Sequence, residues 1–172
     1  GVIGAGGGLG IHMLKMLKLN NIFTIGIDTK TEKFDVCKEN GAEFSVSPME
    51  NDLNNKIADY TQGNDLDVVI DFVSSKSSLE LGASILGKGG RLVTLGGSGE
   101  QFLANSADML VKELELIGSR YCTKQELKES LDLYARGLIK PLVSHKTDFN
   151  GANDLHNKIE TGEITGRAGI LI

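Results

Sequence analysis

Four glycines near the start of the chain have the spacing of a phosphate-binding turn. In the opening GVIGAGGGLG, Gly4, Gly7, Gly8 and Gly10 follow a short apolar stretch and precede a helical pattern. Glycine lets the backbone turn tightly and approach a pyrophosphate, whose charge then lies at the positive end of a helix. The match is a variant of G-x-G-x-x-G, because the last glycine falls at Gly10 and Leu9 holds the sixth place.

An acidic side chain follows at the distance that a dinucleotide site requires. Asp28 ends the next apolar run, Ile22–Ile27. A carboxylate after the second strand can accept hydrogen bonds from both ribose hydroxyls of an adenosine, and it repels a 2'-phosphate. The order strand, glycine turn, helix, strand, acid therefore predicts NAD binding. The alternative is a glycine-rich turn that only packs helix against strand.

Composition excludes several other classes of protein. A net charge of -5 and a pI near 5.2 argue against a nucleic-acid or membrane-surface partner. No apolar run approaches the roughly 20 residues of a membrane span. Cys37 and Cys122 lack a C-x-x-C arrangement, which favours reduced structural thiols in a cytoplasmic protein.

No residues with catalytic or metal-binding spacing are found. His12, His145 and His156 are scattered and are expected at the surface. The Tyr-x-x-x-Lys pair of short-chain dehydrogenases is missing, because no tyrosine is followed by lysine at that spacing. We therefore predict neither catalytic nor metal-ligating residues in this chain.

The elements that must position the glycines and Asp28 alternate between strand and helix. Strands are predicted at the N-terminus and at Ile22–Ile27, Glu43–Val46, Asp67–Val73, Arg91–Leu95 and Leu114–Gly118, with helices after most of them. This alternation predicts an α/β fold with a doubly wound, parallel, six-stranded sheet, the Rossmann fold. The pattern breaks near His145, so we divide the chain into a binding domain (1–142) and a C-terminal return segment (143–172).

Local signals place the ends of the helices. Thr29-x-x-Glu32, Ser77-x-x-Glu80 and Thr123-x-x-Glu126 each have the spacing of a capping box. Asn40-Gly41 is typical of a left-handed helix end, and Gly87 is expected to end another helix. Asp71, at the end of the fourth strand, is expected to cap the loop that follows.

Several stretches together resemble the cofactor-binding half of the medium-chain, zinc-dependent alcohol dehydrogenase family. They are the opening VIGAGGGLG, the segment Asp28–Phe34, DVVIDFV, GKGGRLVTLGG, KELELIGS, GLIKPLVS and ETGEITGRAGILI. The resemblance covers essentially the whole chain, Gly1–Ile172, and is more specific than the glycine turn alone.

The resemblance implies a role for individual residues. Gly4, Gly7, Gly8 and Gly10 would shape the turn, with the backbone of Gly8 and Leu9 facing the pyrophosphate. Asp28 and Lys33 would hold the adenine ribose. The main chain of Leu95, Ser119 and Tyr121 would hold the nicotinamide, and Arg167 would reach the pyrophosphate. Val73 is a further implied cofactor contact. Ser74 departs from the family, where glycine is frequent, and this leaves the contacts of the nicotinamide ribose less defined.

The resemblance also implies an incomplete enzyme. The family's zinc ligands and proton-relay residues lie N-terminal to this domain and have no match here, so this chain is expected to bind NAD but not to oxidise an alcohol or reduce an aldehyde alone. A truncated first strand and a chain that does not begin with Met support that expectation. The sixth strand would pair with its copy, giving a homodimer or homotetramer. The alternatives are a zinc-free, quinone-reductase-like member, which Asp28 disfavours, and a free-standing dinucleotide sensor.

Overall fold

A six-stranded parallel sheet organises the molecule. The computed structural model describes all 172 residues. The strands are β1 (Val2–Ile3), β2 (Ile25–Ile27), β3 (Phe44–Val46), β4 (Leu66–Asp71), β5 (Leu86–Thr94) and β6 (Glu115–Gly118). Their spatial order is β3-β2-β1-β4-β5-β6, and every pair is parallel. The predicted doubly wound sheet is confirmed. The chain adds β2 and β3 on one side of β1 and β4 to β6 on the other, so the strand order reverses between β1 and β4, where such folds bind nucleotides.

Seven helices connect or follow the strands. They are α1 (Gly10–Leu19), α2 (Phe34–Glu39), α3 (Leu53–Tyr60), α4 (Lys76–Ser84), α5 (Ser106–Lys112), α6 (Lys124–Ala135) and α7 (Ala152–Glu160). None is long and apolar enough to cross a lipid bilayer.

Two apolar clusters form the core. Val2 belongs to one, together with Ile11 and Leu14 of α1, whereas Ile3 belongs to the other, with Ile27 and further side chains. Successive side chains of a strand point to opposite faces of the sheet, so β1 is covered on both faces. Burial on both faces explains why β1 and β2 contain only apolar residues and glycine.

The N-terminal caps of two helices test the predicted capping boxes. The capping box of Thr123 and Glu126 is confirmed at α6. The box predicted from Ser77 is wrong by two residues: Ser75 caps α4, and Ser78 returns the hydrogen bond. Serine supplies both a donor and an acceptor, so it can hold either place in the box. The same helix ends at Ser84, before the predicted stop, because β5 already begins at Leu86.

The box predicted from Thr29 and Glu32 does not form. A 3-10 turn at Thr31–Lys33 leads into α2, and the N–H of Lys30 donates to Asp28 Oδ1 at 3.0 Å. The acceptor in this turn is therefore the carboxylate of Asp28, which takes the N–H of Lys30, and no side chain caps the 3-10 turn. The left-handed turn after α2 is confirmed, since Gly41 has φ +127°.

Two further elements were not predicted. Helix α5 is capped at its N-terminus by Asn105, whose side chain accepts the N–H of Ala107 at 2.9 Å. Strand β7 (Val143–Thr147) pairs in parallel with β8 (Arg167–Ile170) in a separate two-stranded sheet. The alternation in β7 is too short and too polar to stand out in the sequence.

The return segment packs against the glycine turn. Gly166 N–H donates to the carbonyl of Gly6 at 3.0 Å, and Arg167 N–H donates to the carbonyl of Leu142 at 2.8 Å. Ile164 is buried. This contact brings a distant part of the chain to the carboxyl ends of β1 and β2.

Candidate dinucleotide-binding site

The glycine turn is held by backbone hydrogen bonds at the end of β1. Gly4 has φ +76° and its N–H donates to the carbonyl of Ile27 at 2.9 Å, while Gly7 N–H donates to Gly4 O at 3.0 Å. A Cβ at Gly10 would lie only 2.6 Å from the carbonyl oxygen of Ala5. The first residue of α1 therefore packs against the turn at a distance that only glycine allows.

The N–H groups of Gly8 and Leu9 have no acceptor in the protein. They precede α1 directly, and no side chain caps that helix. Free N–H groups at a helix N-terminus stabilise an anion such as a phosphate. Arg167 packs on the same turn, since a Cβ at Gly8 would lie 2.9 Å from its Cδ and Nε. The structure thus brings together the three residues expected at a pyrophosphate.

Asp28 is fixed in place by two backbone donors. Gly6 N–H donates to its Oδ2 at 2.8 Å, and Lys30 N–H donates to its Oδ1 at 3.0 Å. It forms no ion pair, so its remaining lone pairs are available. The sequence analysis missed Gly6, which joins the acid to the glycine turn; a Cβ there would lie 3.1 Å from Oδ2.

Lys33 lies beside Asp28 and is buried. Its ammonium donates to the carbonyl of Ile164 in the return segment at 2.7 Å. An ammonium carries three protons, so this bond leaves two for a ligand. Lys33 therefore joins the 3-10 turn before α2 to the return segment, next to the acid.

The thiol of Cys37 is buried near Asp28 and Lys33, and this environment shifts its pKa. Burial, and then the charge of Asp28, raise the pKa of its thiol to about 12, and Lys33 opposes them only in part. The thiol is neutral and forms no disulfide.

A cavity of about 480 Å³ opens at the carboxyl ends of β1 and β2. That volume is within the range of small-molecule sites, roughly 300–1,000 Å³. Its lining combines the glycine turn, the segment after β2, the start of α4 and the end of α7. The lining residues are Ile3, Gly4, Gly7, Ile27, Asp28, Thr29, Lys30, Lys33, Pro48, Met49, Val73, Ser75, Ser77, Ser78, Leu81, Glu160, Thr161 and Gly162.

The residues expected near a nicotinamide follow the next strands of the sheet. Val73 lines the cavity after β4, whereas Leu95, Ser119 and Tyr121 follow β5 and β6 and do not line it. Leu95 N–H donates to the carbonyl of Asp71 at 3.1 Å, and Ser119 N–H donates to that of Thr94 at 3.0 Å. Because the strands are parallel, their carboxyl ends lie on the same side of the sheet, where Val73, Leu95 and Ser119 follow them closely. Tyr121 lies three residues beyond β6 and is exposed.

The loop-capping role of Asp71 is confirmed. Its Oδ1 accepts the N–H groups of Val73 at 2.8 Å and Ser74 at 3.0 Å. The sequence analysis missed Ser75 and Ser78 as members of the cavity wall. Serine near a helix start is too common to indicate a site.

His12 corrects one expectation. His145 and His156 are exposed, but His12 is half-buried: its Nδ1 lies 2.6 Å from Gly8 O, and its Nε2 accepts the N–H of Leu142 at 3.3 Å. An imidazole that accepts at Nε2 donates from Nδ1, so His12 links the glycine turn to the segment before β7.

The chain has no group of three or more His, Cys, Asp or Glu side chains that could hold a metal ion.

The parallel sheet, the glycine turn, the free N–H groups, the acid and the cavity have the arrangement of a Rossmann-type domain. The family model described as "Zinc-binding dehydrogenase" matches residues 8–136. The chain belongs to this family.

Similar proteins agree with that assignment. The chain is 31% identical to an NAD-dependent alcohol dehydrogenase of Sulfolobus acidocaldarius and 29% identical to one of Sulfurisphaera tokodaii, in each case over 96% of this chain and 48% of the relative. A crystal structure of the alcohol dehydrogenase of Aeropyrum pernix superposes with a TM-score of 0.88 at 29% identity, covering 97% of this chain and 48% of that one. The chain spans about half the length of the curated relatives that it matches.

Proposed function

We propose that this chain binds NAD(H) and is the cofactor-binding part of an enzyme that transfers a hydride between an alcohol or aldehyde and NAD. The observation that carries the proposal is Asp28, which lines the cavity with two backbone N–H donors behind it. A carboxylate in this place accepts two ribose hydroxyls and repels a 2'-phosphate. The names of the two NAD-dependent relatives described above support the same cofactor.

Each element has a defined task in this proposal. Gly8, Leu9 and Arg167 bind the pyrophosphate, Asp28 and Lys33 bind the adenine ribose, and the adenosine fills the cavity. Val73, Leu95, Ser119 and Tyr121 hold the nicotinamide along the edge of the sheet. Bound NAD supplies the hydride acceptor, and the protein supplies its position.

Zinc does not fit the residues of this chain, which provide no cluster of ligands. We assign the zinc chemistry implied by the family to the half of the relatives that this chain does not cover. In this proposal the chain alone binds the dinucleotide and does not turn over alcohol.

Two free cysteines favour a reducing compartment such as the cytoplasm.

The return segment has a second task in the proposal, which is to contact that other half. Residues 143–172 would do so together with one face of α6. Leu127, Leu131 and Tyr134 recur at helical spacing and are each more than half exposed, and α6 buries no residue. An apolar helix face of this kind is typical of a surface covered by another part of a protein.

Calorimetric titration of the chain with NAD⁺ and NADP⁺ tests the cofactor. We expect tighter binding of NAD⁺, and we expect Asp28→Ser to weaken NAD⁺ binding by about 1.5–3 kcal/mol for each charge-assisted hydrogen bond lost. The difference in affinity between NAD⁺ and NADP⁺ should be smaller in Asp28→Ser than in the wild type. Asp59→Ser, at an exposed aspartate of α3, is the control and should bind like the wild type. Equal or tighter binding of NADP⁺ by the wild type would refute the proposal.

A further inference from the structure

A fully buried carboxylate without a cationic partner ends β4. Asp71 is 0% exposed and forms no ion pair. Three hydrogen-bond donors take the place of water around the carboxylate. The N–H groups of Val73 and Ser74 donate to Oδ1, and the hydroxyl of Ser78 donates to Oδ2 at 2.7 Å. Burying a charge is unfavourable unless hydrogen bonds satisfy it, so this carboxylate depends on the turn that it holds.

The turn held by Asp71 has an unusual backbone. Ser74 has φ +54°, in the left-handed region that disfavours residues other than glycine. Its hydroxyl lies 2.6 Å from Thr94 Oγ1 and accepts the N–H of Gly96 at 2.9 Å. Its carbonyl accepts the hydroxyl of Ser98. The turn after β4 is thereby fastened to the loop after β5.

The same carboxylate also sets the start of α4. Ser78 donates its hydroxyl to Asp71 and accepts the N–H of Ser75 at 3.0 Å, while the hydroxyl of Ser75 accepts the N–H of Ser78 at 3.2 Å. A hydroxyl has one proton, so donation to Asp71 orients the lone pairs of Ser78 toward Ser75. One acid therefore determines both ends of the segment from Val73 to Ser78.

That segment is a wall of the cavity. Val73, Ser75, Ser77 and Ser78 line it on the β4 side, and Asp28 lines it on the β2 side, with β1 between them. We propose that Asp71 is a positioning residue of the dinucleotide site, which acts through the Val73–Ser78 turn and never touches the ligand. The inference rests on the proposed function.

The test compares NAD⁺ affinity with stability in matched variants of the 172-residue chain. Asp71→Asn keeps an oxygen for the two N–H groups but turns the acceptor at Ser78 into a donor. We expect about 10-fold weaker NAD⁺ binding by calorimetry, as for one lost hydrogen bond to a charged group. Ile57→Val, at a buried position of α3, is the control: it should lower the unfolding midpoint while leaving NAD⁺ affinity unchanged.

A second pair of variants covers the case in which Asp71→Asn does not fold. Ser78→Ala removes the hydroxyl that joins the acid to α4 and should weaken NAD⁺ binding, and Ser78→Thr, which keeps a hydroxyl, should restore it. Wild-type affinity in a folded Asp71→Asn chain, or in Ser78→Ala when Asp71→Asn is unfolded, would overturn the inference. Absence of NAD⁺ binding by the wild type would instead refute the proposed function.

Discussion

At the scale of single residues, the site depends on which polar atoms already have partners. Asp28 uses its oxygens to hold Gly6 and Lys30, and Lys33 uses one proton on Ile164. Both keep further capacity for a ligand, because a carboxylate offers about four lone-pair positions and an ammonium three protons. Preorganised groups of this kind bind without having to be ordered at the moment of association.

The two cysteines should react very differently. Burial raises the pKa of the Cys37 thiol to about 12, whereas Cys122 is exposed. Because the thiolate is the reactive form, a disulfide reagent at pH 8 should modify one thiol in the native chain and two in denaturant. Unfolding lets Cys37 ionise near its ordinary pKa, so stability should also fall as the pH rises above that value.

Cys122→Ser is the matched control, and its native form should show no fast thiol. Two rapidly reacting thiols in the native wild type would contradict the burial of Cys37.

At the scale of elements, the close contact of α1 with β1 depends on glycine. Gly10 does not have a positive φ; it is required because Ala5 backbone atoms occupy the space of a Cβ, at 2.6 and 2.7 Å. The same contact aims the N-terminus of α1 at the proposed pyrophosphate. The packing of α1 on β1 and the proposed binding of the pyrophosphate therefore both require glycine at position 10.

Gly10→Ala should consequently affect both properties. We expect overpacking to lower the free energy of unfolding by about 1–3 kcal/mol, measured by urea denaturation, and NAD⁺ affinity to fall with it. Gly97→Ala is the control, since a Cβ at Gly97 meets nothing within 4 Å. Equal stability of the two variants would show that the turn can move away from α1.

At the scale of the whole molecule, β6 is an open edge of the sheet. It pairs only with β5, and the side chains of Leu116 and Ile117 are 41% and 38% exposed. Its one carboxylate, Glu115, is already paired with Arg91 at 2.6 Å. The return segment does not cover this edge, because β7 pairs with β8. Unprotected edges of this kind favour pairing with another strand.

We expect a homodimer in which β6 pairs with its copy across a two-fold axis. Sedimentation should show a dimer for the wild type and a monomer for Leu116→Pro. Ser119 N–H donates to Thr94 of β5, so the alternation along β6 turns the N–H of Leu116 to the open edge, and proline removes that donor. Leu127→Ala, on the exposed face of α6, is the control and should remain dimeric. A monomeric wild type at tens of micromolar would refute the dimer; a dimeric proline variant would place the interface elsewhere.

The sequence by itself determined the sheet, the glycine turn and Asp28. Apolar runs buried on both faces, a glycine turn and an acid after the second strand are local patterns, and each has a local physical cause. The capping box of Thr123 and Glu126 was predictable for the same reason. Boundaries that depend on neighbours, such as the start of β5 at Leu86, were not predictable.

Only the tertiary structure decided which distant groups meet. Gly166 bonds to Gly6, Lys33 to Ile164 and His12 to Leu142 across more than a hundred residues of chain. Likewise, the turn held by Asp71 is fastened to the strand β5 because the fold places Ser74 beside Thr94. No periodicity or spacing encodes such contacts, since they arise when the parallel strands place their carboxyl ends along one edge and the return segment packs against it.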